Sequence, residues 1–172
     1  MSEQNPKVRI RYYRFRNHLK AKASAGFGGG GPSRISSEAL ERAEAEFEKM
    51  AEEYPDWVQG YVKHLAEHLG RCVDSPEERP DRFRRLHLMA HDLKGQGGTF
   101  GYPLISYFGD SLYNFTGNRE NDIQDNQVEI VKAHIDAMRV VINDRIEGDG
   151  GEAGKILIKE LSEAIKKNDD RV

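Results

Sequence analysis

The chain has 172 residues, enough for one domain with a full-sized core, and 32% charged with 37% hydrophobic residues suits a soluble helix-rich protein better than a membrane-embedded or disulfide-built one. Its single cysteine, Cys72, permits no intramolecular bridge and, in apolar helical surroundings, is expected to be a buried reduced thiol. There is no apolar run of about 18 residues and no signal-peptide core behind the basic N-terminus, so neither a membrane span nor secretion is expected and the cytoplasm is the expected compartment.

The formal net charge of −3 is unevenly spread. Residues 1–34 hold eight basic residues against Glu3 alone, leaving +7 there and −10 in the remainder. This arm interleaves Val8, Ile10, Tyr12, Tyr13 and Phe15 with arginines and ends in the linker Gly26-Phe27-Gly28-Gly29-Gly30-Gly31-Pro32-Ser33. Such a segment could grip phosphates and stack on bases. Charge runs are more often solvated or self-docking tails, and that is the reading preferred over nucleic-acid binding.

From residue 35 the pattern is helical to the end. Ser36 or Ser37 is placed to cap a first helix, with Glu38 in its opening turn and Leu40, Ala43, Phe47, Met50 and Ala51 on its apolar side up to Tyr54. Pro55 is expected to start a second, at a position that tolerates proline, with a seam of Val58, Tyr61, Val62, Leu65, Leu69 and Cys72. A third spans residues 81–99. A fourth opens at Pro103 with Leu104, Ile105, Phe108, Leu112 and Phe115 inward, and Thr116-Gly117-Asn118 closes it. The fifth, expected to be the longest, covers residues 122–146 on Val131, His134, Ile135, Met138, Val141, Ile142 and Arg145. After the glycine-rich loop at 147–151 a short sixth follows on Ile156, Leu157, Leu161 and Ile165. The fold class is all-α: an antiparallel bundle of four principal helices with additional helices at its ends.

The third helix separates two stripes. Phe83, Leu86, Ala90, Leu93, Gly97 and Phe100 share one face and read as a buried seam. His91, Lys94, Gly95 and Gly98 form a second stripe rotated roughly 120° from it. Glycine costs a helix interior about 1 kcal/mol relative to alanine, so something other than helix stability wants these positions small. A surface imidazole is a nucleophile in its neutral form, an ammonium one turn away can neutralise a phosphoryl group, and glycines leave a partner's backbone unobstructed.

His91, Leu93, Lys94, Gly95 and Gly101 resemble the motif of histidine-containing phosphotransfer (HPt) domains of two-component phosphorelays: His-x-Leu-Lys-Gly, then a glycine ten residues after the histidine. The likeness is close over this stretch and elsewhere rests on helical layout. It implies that His91 accepts the phosphoryl group, Lys94 stabilises its charge, and Gly95, Gly98, Gln96 and His87 belong to the surface on which a receiver domain docks. It also implies phosphoryl transfer from a receiver phosphoaspartate to His91 and on to another receiver, with response regulators and a hybrid histidine kinase as partners. Magnesium would be held by the receiver, and this chain would bind no cofactor. Without an ATP-binding motif, a reversible carrier is implied rather than a turnover enzyme. Gly97 and Gly98 depart from the more helix-favouring residues usual in the family and are expected to loosen the last turn. Gly101, close to the seam, is expected to let the helix end tightly against a neighbour.

Other constellations compete less well. Gly148 to Lys155 looks like a phosphate loop, but Asp149 stands where its first glycine is needed, Ile156 replaces the hydroxyl residue, and the stretch reads as a loop between helices. Asn114-Phe115-Thr116 is a glycosylation triplet with no relevance in a cytoplasmic helix. His64 and His68, with Glu67 between them, and the pair His87 and His91 have the i, i+4 spacing of metal ligands and could converge on zinc. That metal-binding reading leaves Lys94 and the glycines unexplained. A helical module that docks receivers without being phosphorylated is the remaining alternative.

Overall fold

The computed structural model describes residues 36–117 and 123–169. The basic arm and its linker lie outside the described residues. The described chain is all-α, with α1 at Ser37–Asp74, a single 3-10 turn at Pro76–Glu78, α2 at Arg79–Gln96, α3 at Pro103–Gly117, α4 at Asp125–Asn143 and α5 at Gly151–Asp169. None of these helices is long and apolar enough to cross a membrane. Two compact units divide at Arg42. Of the first, residues 36–42 are described: the Ser36 hydroxyl accepts from the Ala39 N–H at 3.1 Å, and Arg42 pairs with Glu38 one turn before it. The following paragraphs concern the second unit.

The two helices expected on either side of Pro55 are one 38-residue helix, and it, not the helix after residue 122, is the longest. An interior proline loses a hydrogen bond and strains the preceding turn, a cost of about 3 kcal/mol. Here the apolar stripe runs unbroken through it. Tyr54, Pro55, Val58, Val62, Leu65, Leu69 and Cys72 are all buried, and burying one large aliphatic side chain contributes about 1.5–3 kcal/mol, so tertiary packing outweighs the local break. The stripe before Tyr54 is not buried in the same way: Phe47 and Met50 are about half exposed, and Phe47 meets only the edge of the core by stacking on Phe100 at 5.6 Å.

In chain order, α2 packs on α3, α3 on α4 and α4 on α5. Their common core includes Phe83, Leu86, Leu93, Ile105, Phe108, Leu112, Val131, Ile135 and Met138, the residues that the helical spacing placed inward. Helix α1 joins this core through its buried stripe and through two polar ties, Gln59 to Asn143 at 3.3 Å and Tyr61 to Asp92 at 2.6 Å. Arg79 links three segments: its guanidinium donates to the carbonyls of Cys72 and Ile123, each at 2.9 Å, and meets Asp125 at 2.5 Å. Cys72 is fully buried, and burial pushes its thiol up to about 11.

Several helix ends differ from the spacing-based expectation for local reasons. The last residues assigned to α2 form a turn instead, because Gly97 lets the Tyr102 and Phe100 N–H groups fold back onto its carbonyl at 2.8 and 3.3 Å. Helix α4 stops at Asn143. Ile146 then donates to the Val141 carbonyl at 2.9 Å and Arg145 to Ile142 at 3.2 Å, a Schellman ending with Arg145 at φ +49 in the left-handed position usually taken by glycine. The loop expected at 147–151, and read as far as Lys155, ends at Gly150: Gly151 to Lys155 already belong to α5, which has 19 residues where a short helix was anticipated.

Candidate functional site

The two stripes of α2 separate as their spacing requires. Phe83, Leu86, Ala90, Leu93 and Gly97 are buried and Phe100 half-buried, while His91, Lys94, Gly95 and Gly98 are exposed. His91 presents 67% of its side chain to solvent. The four glycines have unlike reasons. A Cβ on Gly97 would lie 2.5 Å from the Tyr102 carbonyl oxygen and 2.7 Å from the Ser106 nitrogen, so this glycine lets α2 end against the start of α3. Gly101 needs no such clearance; it is glycine at φ +84, where other residues are strained, and the tight approach expected of it occurs at Gly97. A Cβ on Gly95 would touch nothing, and one on Gly98 only the Ser106 hydroxyl at 3.9 Å. Both leave open surface beside His91 that internal packing does not demand.

The neighbours of His91 come from its own helix and from α3, and α1 reaches one of them. Its ring lies 5.5 Å from that of Tyr113 on α3, tilted by 57°. The Asp92 carboxylate stands 4.0 Å from Nδ1 and is itself fixed by the Tyr61 hydroxyl, which donates to it at 2.6 Å from α1. Burial, and then that hydrogen bond, push the Tyr61 hydroxyl above the ordinary phenol range and keep it a donor. Trp57 stacks on Tyr61 at 4.7 Å and continues the aromatic surface along α1.

Lys94 is already engaged. Its ammonium meets Asp110 on α3 at 2.6 Å and stands 5.1 Å from the Tyr113 ring centroid. Tyr113 therefore sits beneath both His91 and Lys94. The crossing that makes this possible is Gly109, where an added Cβ would come within 2.6 Å of the Lys94 backbone nitrogen and 3.1 Å of Leu93. Asp110 and Tyr113 went unnoticed in the sequence. They share one polar face of α3, but nothing in the spacing says which turn of α2 they will meet.

His87 and Gln96 differ from the open stripe. His87 is half-buried against α3, its Nδ1–H donating to the Tyr113 carbonyl at 3.0 Å and its ring stacked on Tyr113 at 4.1 Å. Gly117 leaves room for it, since a Cβ there would lie 2.8 Å from the imidazole. Gln96 is half-buried and lines a cleft of about 200 Å³ with Met50, Glu53, Tyr54, Trp57 and Phe100.

The histidine pairs do not gather into a metal site: His64 pairs with Glu67 at 3.1 Å on the surface of α1, His87 turns to α3, and among the described residues no group of three or more His, Cys, Asp and Glu side chains could hold a metal ion. Comparison with family models, curated proteins and solved structures finds no match. The reading of this site rests on its own chemistry and on the HPt-like motif.

Proposed function

We propose that the protein is a histidine phosphotransfer protein with a bundle of HPt type, accepting a phosphoryl group on His91 from a receiver-domain phosphoaspartate and passing it to another receiver. The observation that carries this reading is an exposed imidazole flanked by an ammonium and by two glycines that internal packing does not require. In the forward step an imidazole nitrogen attacks phosphorus in line, the N–P bond forms, the O–P bond to the aspartate breaks, and the carboxylate leaves. The Asp92 carboxylate stands 4.0 Å from Nδ1, beyond hydrogen-bonding reach of the ring. Lys94 neutralises charge on the transferred group. The receiver supplies its own carboxylates and the magnesium, which would withdraw charge from the phosphoryl oxygens. Gly95, Gly98 and the adjoining Gln96 form the docking face, while His87 supports it from the α2–α3 interface. The partners are response-regulator receivers and a hybrid histidine kinase, in the cytoplasm, and the protein carries phosphate without turnover chemistry of its own.

Incubation with a receiver domain charged by acetyl phosphate is expected to give acid-labile, alkali-stable phosphate on the wild type and none on His91→Gln. Phosphate retained by the variant would sink the assignment. Gly95 offers a separate check on docking. Because nothing inside the protein approaches its Cβ position, Gly95→Ala is expected to raise stability by about 1 kcal/mol in denaturant titrations while slowing receiver transfer. A variant that is more stable and transfers at the wild-type rate would remove Gly95 from the docking face.

A further inference from the structure

The ion pair between Lys94 and Asp110 has a consequence for the phosphorylated state, and the reasoning rests on His91 being the phosphoryl acceptor. In the free protein the Lys94 ammonium is held by the Asp110 carboxylate at 2.6 Å, while Asn114 on the same helix donates to that carboxylate at 3.3 Å. Lys94 and His91 both lie over the Tyr113 ring, at 5.1 and 5.5 Å from its centroid. A phosphoryl group placed on His91 brings about two negative charges to this face, where the Lys94 ammonium is already paired. Both members of the pair are nearly half exposed, so the bridge is weak enough to be exchanged.

We propose that Asp110 is the resting counter-ion of Lys94, that phosphorylation of His91 draws Lys94 from it, and that this competition limits the lifetime of the phosphohistidine. Asp110 is thus a positioning residue acting through Lys94. Keeping the ammonium occupied in the free protein raises the free energy of the phosphorylated form, because the pair must be broken before Lys94 can serve the phosphoryl group. A carrier that must give its phosphate away benefits from that. In loss by hydrolysis, water attacks phosphorus, the N–P bond breaks, the ring nitrogen takes a proton and inorganic phosphate departs. Freeing Lys94 from Asp110 opposes this step by holding the phosphoryl oxygens on the imidazole.

The test uses the full chain charged with potassium phosphoramidate, which phosphorylates imidazoles without any partner. Asp110→Asn keeps the size and hydrogen-bonding capacity of the side chain and removes its charge. The phosphohistidine half-life is expected to lengthen about fivefold, the scale set by one unit-charge contact at about 4 Å in water. Asp110→Glu should restore the wild-type half-life, and in a Lys94→Met background the Asp110→Asn effect should largely disappear. An unchanged half-life in Asp110→Asn overturns the inference, and so does an effect of full size without Lys94. If these half-lives behave as expected but phosphorylated receivers fail to charge His91, the counter-ion role stands and the relay reading falls. If receivers charge His91 and Asp110→Asn changes nothing, the relay stands and the counter-ion role falls. A His91 that takes no phosphate from phosphoramidate overturns both.

Discussion

Gly109→Ala is expected to destabilise the protein by about 2 kcal/mol and to impair His91 chemistry, although it adds one methyl group to a residue that never touches the imidazole. The added Cβ would lie 2.6 Å from the Lys94 nitrogen and 3.1 Å from Leu93, and these obstacles are largely backbone, which cannot swing aside as a side-chain tip can. Overpacking of this kind costs about 3 kcal/mol at the upper end of its range. Alanine regains about 1 kcal/mol through helix propensity, so the clash wins. The helices then part where Lys94 faces Asp110 and Tyr113. Urea unfolding gives the first effect and phosphorylation by phosphoramidate the second. Stability within about 0.5 kcal/mol of the wild type, the usual range for substitutions that disturb nothing, would show that this crossing is not tight. The contrast with Gly95→Ala is instructive, since the same substitution a few residues from the same helix crossing has the opposite sign where no neighbour lies within reach.

Acid should weaken the fold through His134. This residue is fully buried on α4, with Nδ1–H donating to the Ile130 carbonyl at 2.7 Å and Nε2 accepting from the Ser111 hydroxyl at 2.9 Å. Both nitrogens are thereby satisfied by the neutral ring. Burial holds its pKa down to about 4 from an ordinary value of 6.5, outweighing the opposing pull of the Ile130 carbonyl. The unfolded chain therefore binds a proton as pH falls below 6.5, whereas the folded protein resists until about 4. His134 contributes its full stabilisation above 6.5, and that contribution is lost progressively between 6.5 and 4, to a total of about 3 kcal/mol. His134→Gln lacks the titrating group. The difference in unfolding free energy between wild type and variant should shift in the variant's favour by that amount across this window. A difference that stays constant with pH would mean that the ring is not held neutral.

Much of the fold was legible because α2, α3 and α4 each carry one apolar stripe at helical spacing whose residues are largely the buried ones; Arg145, expected on the stripe of the fifth helix, instead lies exposed beyond the end of α4. What was not legible depended on partners distant in sequence. Pro55 looked like a helix start because its local effect is to break helices, and only the continuous core on both sides shows why the helix persists. Phe47 and Met50 carry the spacing of buried residues, yet the core does not cover them. Arg145 gave no warning of a left-handed conformation that glycine would adopt more easily.

At the candidate site, the exposure of His91, Lys94, Gly95 and Gly98 followed from angular position on one helix and needed no tertiary information. The ion pair to Asp110, the Tyr113 ring beneath the site and the turning of His87 into the interface depend on how α3 is set against α2. That setting is governed by Gly97 and Gly109, whose small size was visible in the sequence while the contacts it permits were not.

The account turns on one histidine among six. Its most direct test is to charge the protein with a phosphorylated receiver domain, keep it alkaline, and locate the acid-labile phosphate residue by residue by tandem mass spectrometry. The account predicts a single phosphohistidine, at His91. Phosphate on His87 or on any other histidine, or a protein that binds the receiver and takes no phosphate, would contradict it.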